Sequence, residues 1–174
     1  MASEAQPVVR IATRDDVAAI CGFGDAYIRP HYAPLIGAEA ADEQVRRWWN
    51  ETTVSAAVAQ GSVVVADAGG ELLGVGQRGR SGDEHVVYKL YVHPQHRGRG
   101  LGRLLLGAIT EQLPPDADRL YIEHFLANER AGAFYERAGF RVERIESSPT
   151  GNAALGIVWR VRELVPSPQT SRDA

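Results

Sequence analysis

Short apolar runs alternate with amphipathic stretches along the chain, and glycine, proline, Asp and Asn punctuate the joins. Val8 to Thr13, Ser62 to Ala66, Leu72 to Gln77, Glu84 to Val92, Leu120 to Phe125, Arg141 to Glu146 and Leu155 to Val161 have the length and the branched or aromatic content of strands. Asp67-Ala68-Gly69-Gly70 and Ser81-Gly82-Asp83 read as hairpin turns, and the last two strands flank Pro149-Thr150-Gly151-Asn152. Val17, Ala18, Ile20 and Cys21 form the apolar face of a first helix, capped by Thr13 or Asp15 and interrupted by Gly22-Phe23-Gly24. Tyr27, His31 and Tyr32 follow in a segment broken by Pro30 and Pro34. Ala41 to Ser55 is helical, with Val45, Trp48 and Trp49 at core-like spacing. A helix from Leu101 is stopped near Leu113 by Pro114-Pro115, and one from Glu129 to Arg137 is ended by Gly139.

The order is therefore strand, two helices, three hairpin-linked strands, helix, strand, helix, two strands. That is a mixed α/β chain of about seven strands and four helices. No repeat or linker divides it, so residues 8–164 are expected to form one domain, with residues 1–7 and 165–174 as flexible tails. A net charge of -3 argues against a general nucleic-acid or membrane-surface binder. Cys21 is the single cysteine, so no internal disulfide forms, and a cytoplasmic location is expected. Residues 1–7 lack the basic start and apolar core of a signal peptide, and no apolar run is long enough to span a membrane.

One stretch carries chemistry that composition does not announce. The strand ending at His93-Pro94 runs into Gln95-His96-Arg97-Gly98-Arg99-Gly100-Leu101-Gly102-Arg103, and a helix starts inside it. A strand, a glycine loop and a helix start together offer several main-chain N–H groups to an anion. Gly98, Gly100 and Gly102 are expected to keep side chains out of the anion's way, and Arg97, Arg99 and Arg103 add charge. The loop is not a P-loop, because the chain's one lysine, Lys89, lies upstream of it. Nor is it the dinucleotide fingerprint, whose third glycine would fall on Arg103.

Gln95-x-x-Gly98-x-Gly100 resembles the pyrophosphate-binding motif of the Gcn5-related N-acetyltransferase (GNAT) superfamily. A second block downstream, Asn128-x-x-Ala131-x-x-Phe134-Tyr135-x-x-x-Gly139-Phe140, resembles the later GNAT motif N-x-x-A-x-x-F-Y-x-x-x-G-F. The resemblance covers about Glu84 to Phe140 and is most like the ribosomal-protein N-terminal acetyltransferases, without assigning a subfamily. It implies the GNAT fold, with a central, mostly antiparallel mixed sheet, and acetyl-CoA as cosubstrate. The amides of Arg97, Gly98, Arg99, Gly100, Leu101, Gly102 and Arg103 would hold the pyrophosphate. The main chain of Leu90, Tyr91 and Val92 would pair with the pantetheine arm, and an N–H there would face the acetyl carbonyl. Asn128 would bond the pantetheine amide or, on its own merits, cap the helix that follows it. Tyr135 stands where the family's tyrosine gives a proton to the departing thiolate. For the base, Glu123 and Glu84 both match positions used in the family. Glu123 is favoured by its spacing to Tyr135, with His85 and His124 as neighbouring alternatives. Because neighbours on a strand face opposite ways, Glu123 and His124 are not expected to enter one cleft.

The function this implies is transfer of an acetyl group from acetyl-CoA to a primary amine, without a covalent intermediate. The alternatives are an acyltransferase with another acyl group or a hydroxyl acceptor, and a silent acyl-CoA sensor. His93 and His96 lack a third ligand for a metal, so none is expected. One of Trp48 and Trp49 is expected in the core; the other, with Tyr27, His31 and Tyr32, is a candidate for the acceptor wall, with plain packing the favoured reading. The resemblance also allows a homodimer through the late strands. The acceptor itself is not readable.

Overall fold

The computed structural model describes residues 6–165, so the expected tails lie almost wholly outside the described residues. Seven strands form one sheet: β1 (Val8–Ile11), β2 (Val63–Ala68), β3 (Glu71–Ser81), β4 (Glu84–Val92), β5 (Arg119–Phe125), β6 (Arg141–Glu146) and β7 (Ile157–Glu163). Their spatial order is β1-β2-β3-β4-β5-β7-β6. Every neighbouring pair is antiparallel except β4 and β5. The connection between those two carries helix α5 (Leu101–Glu111), as a parallel crossover requires. Helix α6 (Glu129–Arg137) links β5 to β6.

The N-terminal helical region departs from the sequence reading. Gly22-Phe23-Gly24 does not interrupt it. Helix α1 (Val17–Phe23) continues through one wide turn, Gly24–Ile28, into α2 (Arg29–Ile36). Gly24 has helical angles, and a Cβ there would lie 2.5 Å from Cβ of Trp49, so this glycine serves close packing and not a break. The expected helix from Ala41 to Ser55 is instead two, α3 (Ala38–Trp48) and α4 (Glu51–Ala59). Asn50 divides them, its side-chain oxygen accepting from Thr53 N at 2.9 Å as an N-cap. Six α-helices thus stand among the described residues where four were expected.

Alternation along the strands sorts the core into two faces. Val63, Val65 and Val75 pack with Ile20, Phe23, Tyr32, Val45 and Trp49 of the N-terminal helices. Val64, Ala66 and Leu73 pack with Leu105, Ile109 and Tyr135 of α5 and α6 on the other side. Trp49 is 4 % exposed and Trp48 44 %, so one is core and the other is turned to solvent under the Arg47 guanidinium. Lys89 is buried in the first face. Its ammonium bonds the side-chain oxygen of Gln77 and sits 5.1 Å from the centre of the Trp49 ring. Burial pushes it from 10.5 down to about 8.

Two irregularities in β4 shape everything that follows. Gln77 pairs with Lys89 and Arg78 with Val87, which leaves Tyr88 as a bulge. On its other side β4 pairs with β5 only at Val86↔Tyr121 and Val87↔Ile122. Beyond these pairs the two strands diverge, and a gap opens through the middle of the sheet.

Candidate active site

A cleft of about 450 Å³ occupies this gap and runs to the start of α5. All the coenzyme-binding residues expected from the sequence line it except Arg99. At its mouth, Gly98 and Gly100 have φ of 76° and 86°, a region that side chains disfavour, and open space surrounds both. The N–H groups of Gly98, Gly100, Leu101 and Gly102 find no acceptor among the described residues. Gly102 has another cause. A Cβ on it would lie 3.1 Å from the Phe134 ring, so its missing side chain lets α6 approach α5. Packing against Phe134 is thus a second demand on this position, beside its place in the lining of the cleft.

The charge at the mouth is positive and uncompensated. Arg97, Arg103, Arg130 and Arg137 line it, and none of the four pairs with a carboxylate among the described residues. Arg97 also donates through Nε to Val92 O at 3.1 Å, which ties the loop to the end of β4. Arg130 and Arg137 were not singled out from the sequence, where they stand as ordinary polar positions of an amphipathic helix. His93 is buried, with Nε2 2.8 Å from the Tyr27 hydroxyl and Nδ1 accepting from Gln95 N at 3.2 Å, so it braces the turn. No group of three or more His, Cys, Asp or Glu among the described residues could hold a metal ion.

Further in, side chains reach the gap from both faces. Tyr135 comes from the α6 side. It is 6 % exposed, its hydroxyl bonds nothing among the described residues, and it borders the cleft. Burial, with a smaller contribution from nearby Tyr32, raises its ionisation well above the ordinary tyrosine range, so the phenol keeps its proton. Glu123 comes from the opposite face. Burial first, then the charge of Glu146, raises its proton affinity, while Arg144 acts the other way. His124 borders the same cleft, although it is Glu123's neighbour on β5. The rule that neighbours face apart holds, but the cleft passes through the sheet and receives both faces. His124 is already engaged, with Nδ1 2.9 Å from Phe125 O and Nε2 accepting from Arg160 Nε at 3.1 Å.

Asn128 caps α6, its Oδ1 accepting from Ala131 N at 3.3 Å, and its amide nitrogen lies 3.5 Å from His31 Nε2. His31 and Tyr32 of α2 line the cleft, whereas Tyr27 and Trp48 do not. Glu84 sits at the other end of β4, opposite Ser81 in the β3–β4 hairpin, and His85 faces Arg80 there. Neither borders the cleft. Tyr88, the bulged residue, does, and nothing in a one-dimensional pattern marks a bulge.

Residues 59–142 match the family model of an acetyltransferase (GNAT) domain. The chain is 33 % identical over 122 residues to the mycothiol acetyltransferase of Propionibacterium freudenreichii subsp. shermanii, across 65 % of this chain and 35 % of that protein. It is 40 % identical over 73 residues to the Mycobacterium leprae protein ML0378, across 42 % of this chain and 19 % of that one. It therefore spans about a third or less of the length of these curated relatives. In fold it is similar to the PaiA N-acetyltransferase of Thermoplasma acidophilum, solved with coenzyme A, with TM-score 0.76 at 14 % identity over 91 % of this chain and 99 % of that one. It is also similar to the ribosomal-protein-S18-alanine N-acetyltransferase of Escherichia coli, with TM-score 0.65 at 19 % identity over 95 % and 98 %. Both motif blocks lie inside the segment that matches the GNAT family model, and the architecture around them is the GNAT fold.

Proposed function

We propose that this protein transfers the acetyl group of acetyl-CoA directly to a primary amine. The observation that carries the reading is the gap between β4 and β5, which Glu123 enters from one face and Tyr135 from the other. Unpartnered N–H groups and unpaired guanidiniums stand at its mouth. The cleft volume falls in the range of small-molecule sites, about 300–1,000 Å³. Each charge-assisted hydrogen bond from the loop to a phosphate contributes roughly 1.5–3 kcal/mol. Leu90, Tyr91 and Val92 make no ladder bond to β5, so a pantetheine arm can lie along β4 there as an added strand, up to Val92 O, which Arg97 Nε holds.

In this reading the amine approaches from the Glu123 face. Its nitrogen bonds the thioester carbon and gives up a proton to Glu123, directly or through a water. As the carbon–sulfur bond breaks, Tyr135 gives its proton to the sulfur and recovers one from solvent. Glu123 is favoured over Glu84 because it borders the gap. A covalent acyl-enzyme has no support. Cys21 lies on α1, outside the cleft, and burial first of all raises its thiol above its ordinary value. No helix among the described residues is long and apolar enough to cross a membrane. The single cysteine suits the cytoplasmic location we propose. The test is a panel of amines offered with acetyl-CoA, with free thiol as the readout. Coenzyme binding with acceptor-dependent thiol release is expected. Tight binding with no turnover on any amine would overturn catalysis and leave a sensor.

A further inference from the structure

Two hydroxyls in the cleft remain outside the mechanism above. Tyr32 of α2 is 5 % exposed, Tyr91 of β4 is half-buried, both line the cleft, and their hydroxyl oxygens are hydrogen-bonded to each other. The helix brings Tyr32 over the open end of the gap, where its ring packs edge-on against Phe125 at 5.3 Å and Tyr91 at 6.1 Å between centroids. Trp49 backs Tyr91 from behind at 5.5 Å. The pair is thus held from three sides and open on the fourth.

Counting protons shows what the pair can offer. Two phenols carry two protons, and the bond between them uses one. The remaining proton needs an acceptor, and neither hydroxyl has another bond to an acceptor among the described residues. Asn128 does not supply one. Its Oδ1 is turned to Ala131 N as the helix cap, so the end it presents to Tyr32 and His31 is the amide N–H₂, a donor. Whichever phenol donates to the other, one O–H is left over at the wall of the cleft. Tyr135 faces both from across the gap, near enough for its charge state to be felt at each.

We propose that the Tyr32–Tyr91 pair is a hydrogen-bond donor site for a carbonyl oxygen of the acyl-pantetheine arm, opposite Tyr135. This rests on the reading of the gap as an acetyl-CoA site. Two carbonyls have the required chemistry, that of the thioester and that of the nearest pantetheine amide. The pair donates and does not transfer its proton, so no bond is made or broken by it. A donor aimed at the thioester oxygen strengthens its bond as the oxygen gains charge, and lowers the barrier. One aimed at the amide carbonyl anchors the arm equally in all states.

The proton count gives this proposal a signature that simple packing lacks. In Tyr32→Phe the proton of Tyr91 is released from its partner, and in Tyr91→Phe that of Tyr32 is. Each single variant keeps one donor at the site, and only the double variant has none. Each single change is expected to lower kcat/KM for acetyl-CoA by roughly fivefold or less. The double change should cost about 10²–10³-fold, the range for one lost donor, and more than the product of the singles. Removing both hydroxyls together strands neither of them, and the Asn128 amide keeps its contact to His31, so the double variant should fold, which its melting temperature checks. Calorimetry with coenzyme A then separates the two carbonyls. A loss in kcat at unchanged Kd assigns the thioester, and an equal loss in Kd for coenzyme A and acetyl-CoA assigns the amide. A double variant within threefold of wild type, or no worse than the product of the singles, overturns the proposal while the wild type still binds and turns over. A wild type that does not bind coenzyme A overturns the acetyl-CoA reading itself and this inference with it.

Discussion

Tyr135→Phe removes a single oxygen atom, and the structure separates what that does to folding from what it does to chemistry. The ring is held by Phe134, Phe140 and His124 at centroid separations of 5.4, 6.0 and 5.9 Å, and a phenylalanine keeps all three contacts. The hydroxyl bonds nothing among the described residues, so its loss leaves none of their buried donors or acceptors stranded. Stability should therefore change by less than about 1 kcal/mol. The thiolate, by contrast, loses its proton donor. A positioned general acid contributes typically about 10²–10⁴-fold, which is roughly 3–5 kcal/mol of barrier. The assay is steady-state thiol release with the best amine of the panel, beside calorimetric Kd for coenzyme A and a thermal melt. The expected result is a fall of at least about 10²-fold in kcat, with Kd and melting temperature nearly unchanged. The pH dependence follows in sign. Burial raises this phenol above the ordinary value of 10, so the donor is present throughout the neutral range and should cause no loss of rate below pH ~10. Equal losses in kcat and in affinity would refute an acid role, because they would mean that the oxygen only helps to hold the coenzyme.

Two further outcomes follow from charges that the fold places off the reaction path. Glu123 must be ionised to accept a proton, and burial and Glu146 both raise its proton affinity, so activity should fall as pH drops through that raised value. Glu146→Gln removes the like charge and should move this acidic limb of kcat/KM to lower pH; a limb that stays put or moves up would remove Glu123 as the base. Lys89 has a folded value of about 8 against an ordinary 10.5, so the unfolded chain binds more protons between those two pH values and stability must rise across that window. The full rise is about 3 kcal/mol. Urea midpoints taken from pH ~7 to ~10 should show it in the wild type and not in Lys89→Met; parallel curves would mean that the ammonium is better solvated than its burial indicates.

What the linear sequence made legible was whatever is set by neighbours in the chain. The bounds of β4, α6 and β6 follow from alternation, from Asn128 as cap and from Gly139 as stop, and they match the structure to the residue. The anion loop was readable for the same reason, since Gly98 and Gly100 owe their identity to their own backbone angles. Where a residue answers to a distant one, that logic failed. Gly24 is a glycine because of Trp49, so it was given a local reason it does not have, and the demand that Phe134 places on Gly102 was equally invisible. The reasoning that kept Glu123 and His124 out of one cleft assumed a continuous sheet. That assumption breaks where β4 bulges at Tyr88 and parts from β5 after Val87, a point fixed by pairings between strands more than thirty residues apart. The position of the chemistry is decided there. A closed sheet would put a carboxylate and a phenol from opposite faces out of each other's reach, and would tie up the main-chain groups that an extended ligand needs. The missing hydrogen bonds between β4 and β5 bring Glu123, Tyr135 and the Tyr32–Tyr91 pair to one cleft, and in the proposed reading the motif residues at the mouth would deliver a ligand into that opening.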